Sequence, residues 1–174
     1  MMAFLNRGLR ICLNDGRSDE RHEKVEFCYE GGIRDFVVHV NASKESLFNE
    51  VGYLEGIEDD QEVEIAFQWN TGFNSDGLHS FANGINTLEG GMHEEGFRSA
   101  LTAVMNRYAK KRGMLRDQDD NLQGEDIREG LTAIISVRLV EPQFEGQTKS
   151  KLGNVETRSL VQRTTNDRLA DWLE

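Results

Sequence analysis

Apolar and polar positions alternate at the start of the chain. Leu9, Ile11 and Leu13 share one parity, and after a polar stretch Val25, Phe27 and Tyr29 do the same. This pattern predicts a β-hairpin with residues 14–22 as its loop, and it sets Cys12 and Cys28 off the apolar parity as near neighbours. Gly31-Gly32 interrupts it. Ile33, Phe36, Val37 and Val40 then recur at i, i+3, i+4 and i+7, the stripe of a short amphipathic helix ending at Asn41. In residues 55–64 six of ten side chains are acidic and none is basic, which predicts a solvated turn. That turn leads into a period-two strand marked by Val63, Ile65, Phe67 and Trp69. Residues 78–85 read as another strand, weakened at its end by Gly84.

The strongest helix signal follows Gly90-Gly91. Phe97, Leu101, Val104, Met105 and Tyr108 lie on one face, Glu94 and Glu95 stand in the first turn, and Lys110, Lys111 and Arg112 stand in the last. Gly113 falls where a terminating glycine is wanted. A polar connector over residues 117–130 leads to Leu131, Ala133, Ile135, Val137 and Leu139, a strand apolar on both faces and so central in a sheet. Residues 141–153 form a loop holding the single proline. A terminal helix follows, with Val161, Thr165, Leu169, Trp172 and Leu173 on one face. This stripe is still running at Glu174, and a doubled Met opens the chain; both features suggest a domain cut from a longer protein.

Composition narrows the class. With 174 residues the chain has the size of about one domain. Its 37% hydrophobic content is that of an ordinary globular protein. No apolar run approaches the ~20 residues of a membrane span, and the first residues lack the basic and apolar regions of a signal peptide. The sequence therefore points to a cytoplasmic protein with no membrane association. The formal net charge of −11 argues against a surface that binds nucleic acid everywhere, including a free-standing RNA-binding module. Two cysteines cannot build a disulfide framework or a four-ligand zinc site.

Few constellations carry chemistry. His93-Glu94 begins like a zinc protease signature, but Phe97 stands where the second histidine belongs, and His22, His39 and His79 have no partners at ligand spacing. No metal site is expected. There is no Gly-x-Ser-x-Gly nucleophile motif, and residues 146–150 resemble a phosphate-binding loop only superficially. Charge segregation is more telling: residues 97–116 carry Arg98, Arg107, Lys110, Lys111, Arg112 and Arg116 and no acid, +6 inside a chain of −11. Dipole complementation at a helix end accounts for this on pattern alone; a surface facing DNA phosphates is the alternative. Lys149 reads by spacing as a solvated lysine. Yet Gln147 and Lys149 share a parity, and an amide and an ammonium of one parity can point at one anion such as a terminal phosphate.

Long motifs go further. Residues 81–97, Phe-Ala-Asn-Gly-Ile-Asn-Thr-Leu-Glu-Gly-Gly-Met-His-Glu-Glu-Gly-Phe, and 141–149, Glu-Pro-Gln-Phe-Glu-Gly-Gln-Thr-Lys, resemble the second, or transducer, domain of the DNA gyrase B family. The likeness runs from Ala3 and the Tyr29-Glu30-Gly31-Gly32-Ile33 segment to the terminal helix. The equivalent chain of topoisomerase IV shares these motifs. Two positions depart from the family pattern, Gly84 for the usual Asn and Met92 for the usual Thr, which puts local loop geometry in question.

The resemblance implies an α/β (α+β) fold like domain 2 of ribosomal protein S5, a mixed sheet with helices on one side. It also implies a left-handed βαβ crossover, against the usual right-handed rule. It implies one transducer domain over residues 1–174, between a GHKL ATPase domain and a metal-binding Toprim domain that lie outside residues 1–174. By match of motif, Gln147 and Lys149 would contact the γ-phosphate of ATP, bound with Mg2+ in full-length gyrase B, and Lys149 would stabilise charge during hydrolysis. The charge segregation, supported by the family's architecture, would set Arg107, Lys110, Lys111 and Arg112 facing double-stranded DNA; the alternative is a non-catalytic scaffold that lines the DNA cavity, with Lys149 only positioning product. The implied partners are the ATPase domain, a second copy of gyrase B closing as a clamp, and gyrase A. No nucleotide is expected on the fragment alone, which would be inactive.

Overall fold

The computed structural model describes residues 1–16, 23–72, 77–116 and 118–174, the side chain of Glu23 aside. A short helix α1 (Met2–Leu5) precedes the expected hairpin, β1 (Ile11–Asp15) paired antiparallel with β2 (Glu23–Phe27) in the register Ile11 to Phe27. Cys12 lies opposite Glu26, so Cys28 is two positions along on the same face, and both thiols are free. Much of the hairpin's predicted loop, residues 17–22, falls outside the described residues. Helix α2 (Ile33–Val40) ends at Asn41 as its stripe predicts.

A five-stranded mixed sheet forms the centre, in the order β3-β4-β7-β5-β6. Its strands are β3 (Gly52–Glu58), β4 (Gln61–Trp69), β5 (Gly77–Ala82), β6 (Ile85–Asn86) and β7 (Leu131–Leu139). Antiparallel pairing joins β3 to β4 and β4 to β7, whereas β5 runs parallel to β7. Period-two alternation divides the strands between two cores. Val63, Ile65 and Phe67 of β4 and Ala133, Ile135 and Val137 of β7 pack beneath the long helices α3 (Met92–Lys111) and α5 (Val155–Leu173). On the other face Ala66 and Ile134 pack with Phe4, Leu5, Ile33, Phe36 and Val37 of α1 and α2. The expected layer of helices on one side is thus the α3–α5 pair. The short α1 and α2 cover part of the opposite face, which the expectation left out.

Three local expectations are corrected. The acidic stretch is no extended turn: residues 52–58 form edge strand β3, and only Asp59-Asp60 turn. Leu54 is buried there while Glu55 faces Glu64 across the ladder, so exposed carboxylates hide a strand whose other side feeds the core. Residues 78–85 are a hairpin rather than one strand. Asn83 and Gly84 take φ of +49° and +78°, the pair of left-handed residues that a two-residue turn demands, so Gly84 fits as readily as Asn would. The connector holds a short helix, α4 (Gly124–Arg128), pinned by buried Ile127. The remaining strands, β8 (Phe144–Glu145) and β9 (Lys151–Leu152), pair inside the loop that follows β7.

Candidate functional site

Gln147 and Lys149 occupy the tip of the β8–β9 hairpin. Residues 146–149 are a turn in which Gly146 and Lys149 adopt φ of +73° and +53°. Such a conformation is unusual for lysine and persists only where the surrounding chain imposes it. Phe144 opposite Leu152 and Glu145 opposite Lys151 impose it here, helped by the Lys151–Glu145 ion pair at 3.2 Å. Among the described residues neither the Gln147 amide nor the Lys149 ammonium forms a hydrogen bond or an ion pair. Lys149 Nζ lies 5.8 Å from the Phe144 ring centroid, the outer limit of a cation–π contact. The tip therefore presents two N–H donors and a full positive charge to whatever approaches.

The base of the loop is held as firmly as its tip is free. Gly153 N–H donates to Gln143 C=O at 2.7 Å, closing the loop on itself. Leu152 N–H donates to Gly90 C=O at 3.1 Å, Glu89 N–H donates to Ser150 C=O at 2.9 Å, and Gly91 bridges Leu152 in parallel. Gly90 and Gly91 lead directly into α3, so β9 and the first turn of that helix are one hydrogen-bonded unit. Sequence reasoning took the two glycines as punctuation and passed over Asn154. The signal for Asn154 was available: an Asn placed directly ahead of an amphipathic helix.

A buried polar relay backs the start of α3. Thr87 Oγ1 donates to Ser80 C=O at 2.8 Å and is hydrogen-bonded to His93 Nε2 at 3.1 Å. His93 is fully buried, its Nδ1 has no hydrogen-bond partner among the described residues, and burial depresses its pKa to about 4, so the ring is neutral. Ser80 Oγ and Arg98 both reach Glu94, Arg98 at 2.6 Å. The histidine that opened a protease-like motif is thus a structural member of this relay. Among the described residues no three His, Cys, Asp or Glu side chains gather as a metal site.

The four cations proposed to face DNA are not equivalent. Arg107 and Lys110 line an open groove of about 700 Å3 between α3 and the segment carrying Asn121 and Leu122. Lys111 pairs with Glu174 at the end of α5, which holds that carboxyl below its ordinary pKa, and the Arg112 guanidinium lies 5.2 Å from the Tyr108 ring centroid. At 1.5 Å per residue, Arg107 sits roughly 24 Å along α3 from Gly91. Loop tip and basic groove lie near opposite ends of one helix.

A family model for DNA gyrase B matches residues 32–174. The chain belongs to the DNA gyrase B family. It is 54% identical over 175 residues to the DNA gyrase B protein of Clostridium acetobutylicum and 52% identical over 191 residues to that of Streptomyces coelicolor. In each case 99% of this chain is covered, but only 27% and 28% of the relative. Among solved structures, the 43K ATPase domain of Thermus thermophilus gyrase B superposes with a TM-score of 0.86 at 32% identity, covering 98% of this chain and 45% of that one. The ATP-binding domain of Francisella tularensis topoisomerase IV superposes with a TM-score of 0.77 at 24% identity over 98% of this chain and 44% of that one, a likeness of fold alone. Relationship to gyrase B ATPase-region structures agrees with the S5-like, mixed-sheet fold.

Proposed function

We propose that this chain is the transducer domain of an ATP-hydrolysing type II DNA topoisomerase, and that Gln147 and Lys149 sense the terminal phosphate of ATP held by a neighbouring GHKL ATPase domain. One observation carries the reading: an ammonium and an amide with no hydrogen-bond or ion-pair partner among the described residues share the tip of a loop whose base is fixed. The pair fits a phosphate, since the Lys149 ammonium and the Gln147 NH2 group both donate, and no described carboxylate is within ion-pair distance of Lys149. It does not fit Mg2+, whose ligands would come from the ATPase domain.

ATP supplies the transferable phosphoryl group when bound. Lys149 then places positive charge where negative charge develops, and Gln147 fixes the orientation of the same oxygens. Loss of phosphate takes away the polar partner of the tip, and the change passes through the Gly90 and Gly91 bonds to α3 and its basic far end. Two features support the proposed partners. The β1–β2 hairpin exposes Leu13, Val25 and Phe27 on one apolar face, which suits packing against the ATPase domain of the same chain. The groove at Arg107 and Lys110 suits the phosphates of duplex DNA passing through a clamp of two gyrase B chains assembled with gyrase A. The chain alone hydrolyses no ATP in this reading.

The test is Lys149→Ala in full-length gyrase B assembled with gyrase A and DNA. Turnover of ATP falls by ~10²-fold or more, the range for deleting one preorganised charge donor. Near-normal turnover removes Lys149 from the mechanism.

A further inference from the structure

We propose that Asn154 is the positioning residue of the phosphate-sensing loop: its buried carboxamide ties both feet of the loop together and so sets where Gln147 and Lys149 stand. The inference rests on the reading of those two residues given above.

Asn154 is the residue before the first turn of α5, with φ −62° and ψ 106°. An Asn there ordinarily turns its side-chain oxygen onto a free N–H of the helix it opens. This one makes no such bond. Its side chain turns back into the loop instead, 3% exposed, where Oδ1 accepts the Gln143 N–H at 2.6 Å and Nδ2 donates to the Glu141 C=O at 3.2 Å. The second Nδ2 hydrogen goes to the Glu156 carboxylate at 2.7 Å, so both hydrogens of the amide are used. Glu156 is held below the usual carboxylate range first by that bond and then by its own backbone N–H, so it supplies the negative group that the start of α5 favours. The helix keeps an acid at its beginning, and Asn154 is released to the loop.

Beyond β8 and β9, the tip's own side-chain hydrogen bonding among the described residues is Thr148 to Ser150 at 3.2 Å. The placement of Gln147 and Lys149 is therefore inherited from the base. There Asn154 bonds residues 141 and 143 while Gly153 N–H closes on the Gln143 carbonyl. An amide is required. It must accept from one residue of the loop and donate to another, and a carboxylate in its place keeps the acceptor, loses both donors and faces Glu156 with like charge.

The experiment compares Asn154→Asp, Asn154→Ala, Lys149→Ala and the double variant Asn154→Asp/Lys149→Ala in full-length gyrase B with gyrase A and DNA. It reads kcat and KM for ATP together with thermal melting. Asp opens helices as well as Asn does, so α5 is retained. Asn154→Asp lowers kcat about tenfold or more, the order expected when a catalytic group is displaced by a fraction of an ångström, with KM changed less than about threefold. In the Lys149→Ala background the same substitution costs nothing further, because its effect acts through Lys149. Turnover of Asn154→Asp within twofold of the parent, with Lys149→Ala impaired, overturns the proposal and leaves the reading of Lys149 standing. Equal losses in both backgrounds overturn it too, since the residue would then act independently of Lys149. Normal turnover in Lys149→Ala overturns the underlying reading itself. If Asn154→Asp fails to fold, Asn154→Ala decides on the same criteria.

Discussion

Gly91 and Leu152 lie in a parallel β-bridge so close that a Cβ on Gly91 would overlap the Leu152 backbone nitrogen and carbonyl oxygen. Gly91 also has φ of +135°, a conformation L side chains rarely adopt. One residue thus joins the loop bearing Gln147 and Lys149 to the helix bearing Arg107 and Lys110. Gly91→Ala must separate β9 from the start of α3 or strain both. We expect it to lower the stability of the chain by about 2 kcal/mol or more, from the backbone conformation and the overlap together. Urea unfolding checks this, and a loss under about 0.5 kcal/mol, the size of an ordinary surface change, would show that the bridge tolerates a methyl group.

The division among the α3 cations predicts unequal effects on DNA. Removing one phosphate partner reduces the slope of log K against log salt by about 0.9, so Arg107→Gln/Lys110→Gln reduces it by about 2. Lys111→Gln has a smaller effect, because Lys111 is engaged with Glu174. Binding of duplex DNA by full-length gyrase B across a salt series measures this. Equal slopes for all variants would return the basic run to its simpler role as a complement to the helix dipole.

Beneath α2 a buried amide network holds the sheet. Asn41 donates to Gln68 at 3.0 Å and accepts from Thr132 at 2.7 Å and from Asn70 at 3.1 Å. Asn41→Ala leaves these groups buried without that partner and should cost about 2–4 kcal/mol, counting desolvated polar groups at about 1–3 each with partial relaxation. Chemical denaturation would show it, and a near-neutral result would mean that water replaces the amide.

What the sequence revealed follows the physics of each element. Helices α2 and α3 were legible because Phe36, Val37, Phe97, Leu101 and Val104 repeat at helical spacing and a glycine pair precedes each segment. Strand β7 was legible because it is buried on both faces. Strand β3 was not, because edge position lets Glu55 stand in water and Glu58 pair with Arg163 while Leu54 marks the core. The β5–β6 hairpin was hidden by reading Gly84 as a weak strand residue instead of half of an Asn-Gly turn. At the candidate site, parity indicated Gln147 and Lys149, but nothing local could show that Gly91, far earlier in the chain, closes on Leu152. Contacts of that range are products of topology.

His93 makes stability depend on acidity in a defined window. Its folded pKa of about 4 lies below the ordinary value of 6.5, so between these values the unfolded chain binds a proton that the folded chain refuses. The slope of unfolding free energy with pH is proportional to protons bound unfolded minus folded, which is positive here, so stability rises with pH across this window. The contribution of the neutral ring is complete above pH 6.5 and is lost progressively as pH falls toward 4. A gap of this size corresponds to about 3 kcal/mol at the acid limit, at about 1.36 kcal/mol per pKa unit. His93→Gln has a side-chain amide to offer Thr87 but cannot titrate, so its stability should vary less than the parent's over the same range. Denaturant midpoints at several pH values for the two proteins test this, and parallel pH profiles would show that the acid sensitivity arises elsewhere.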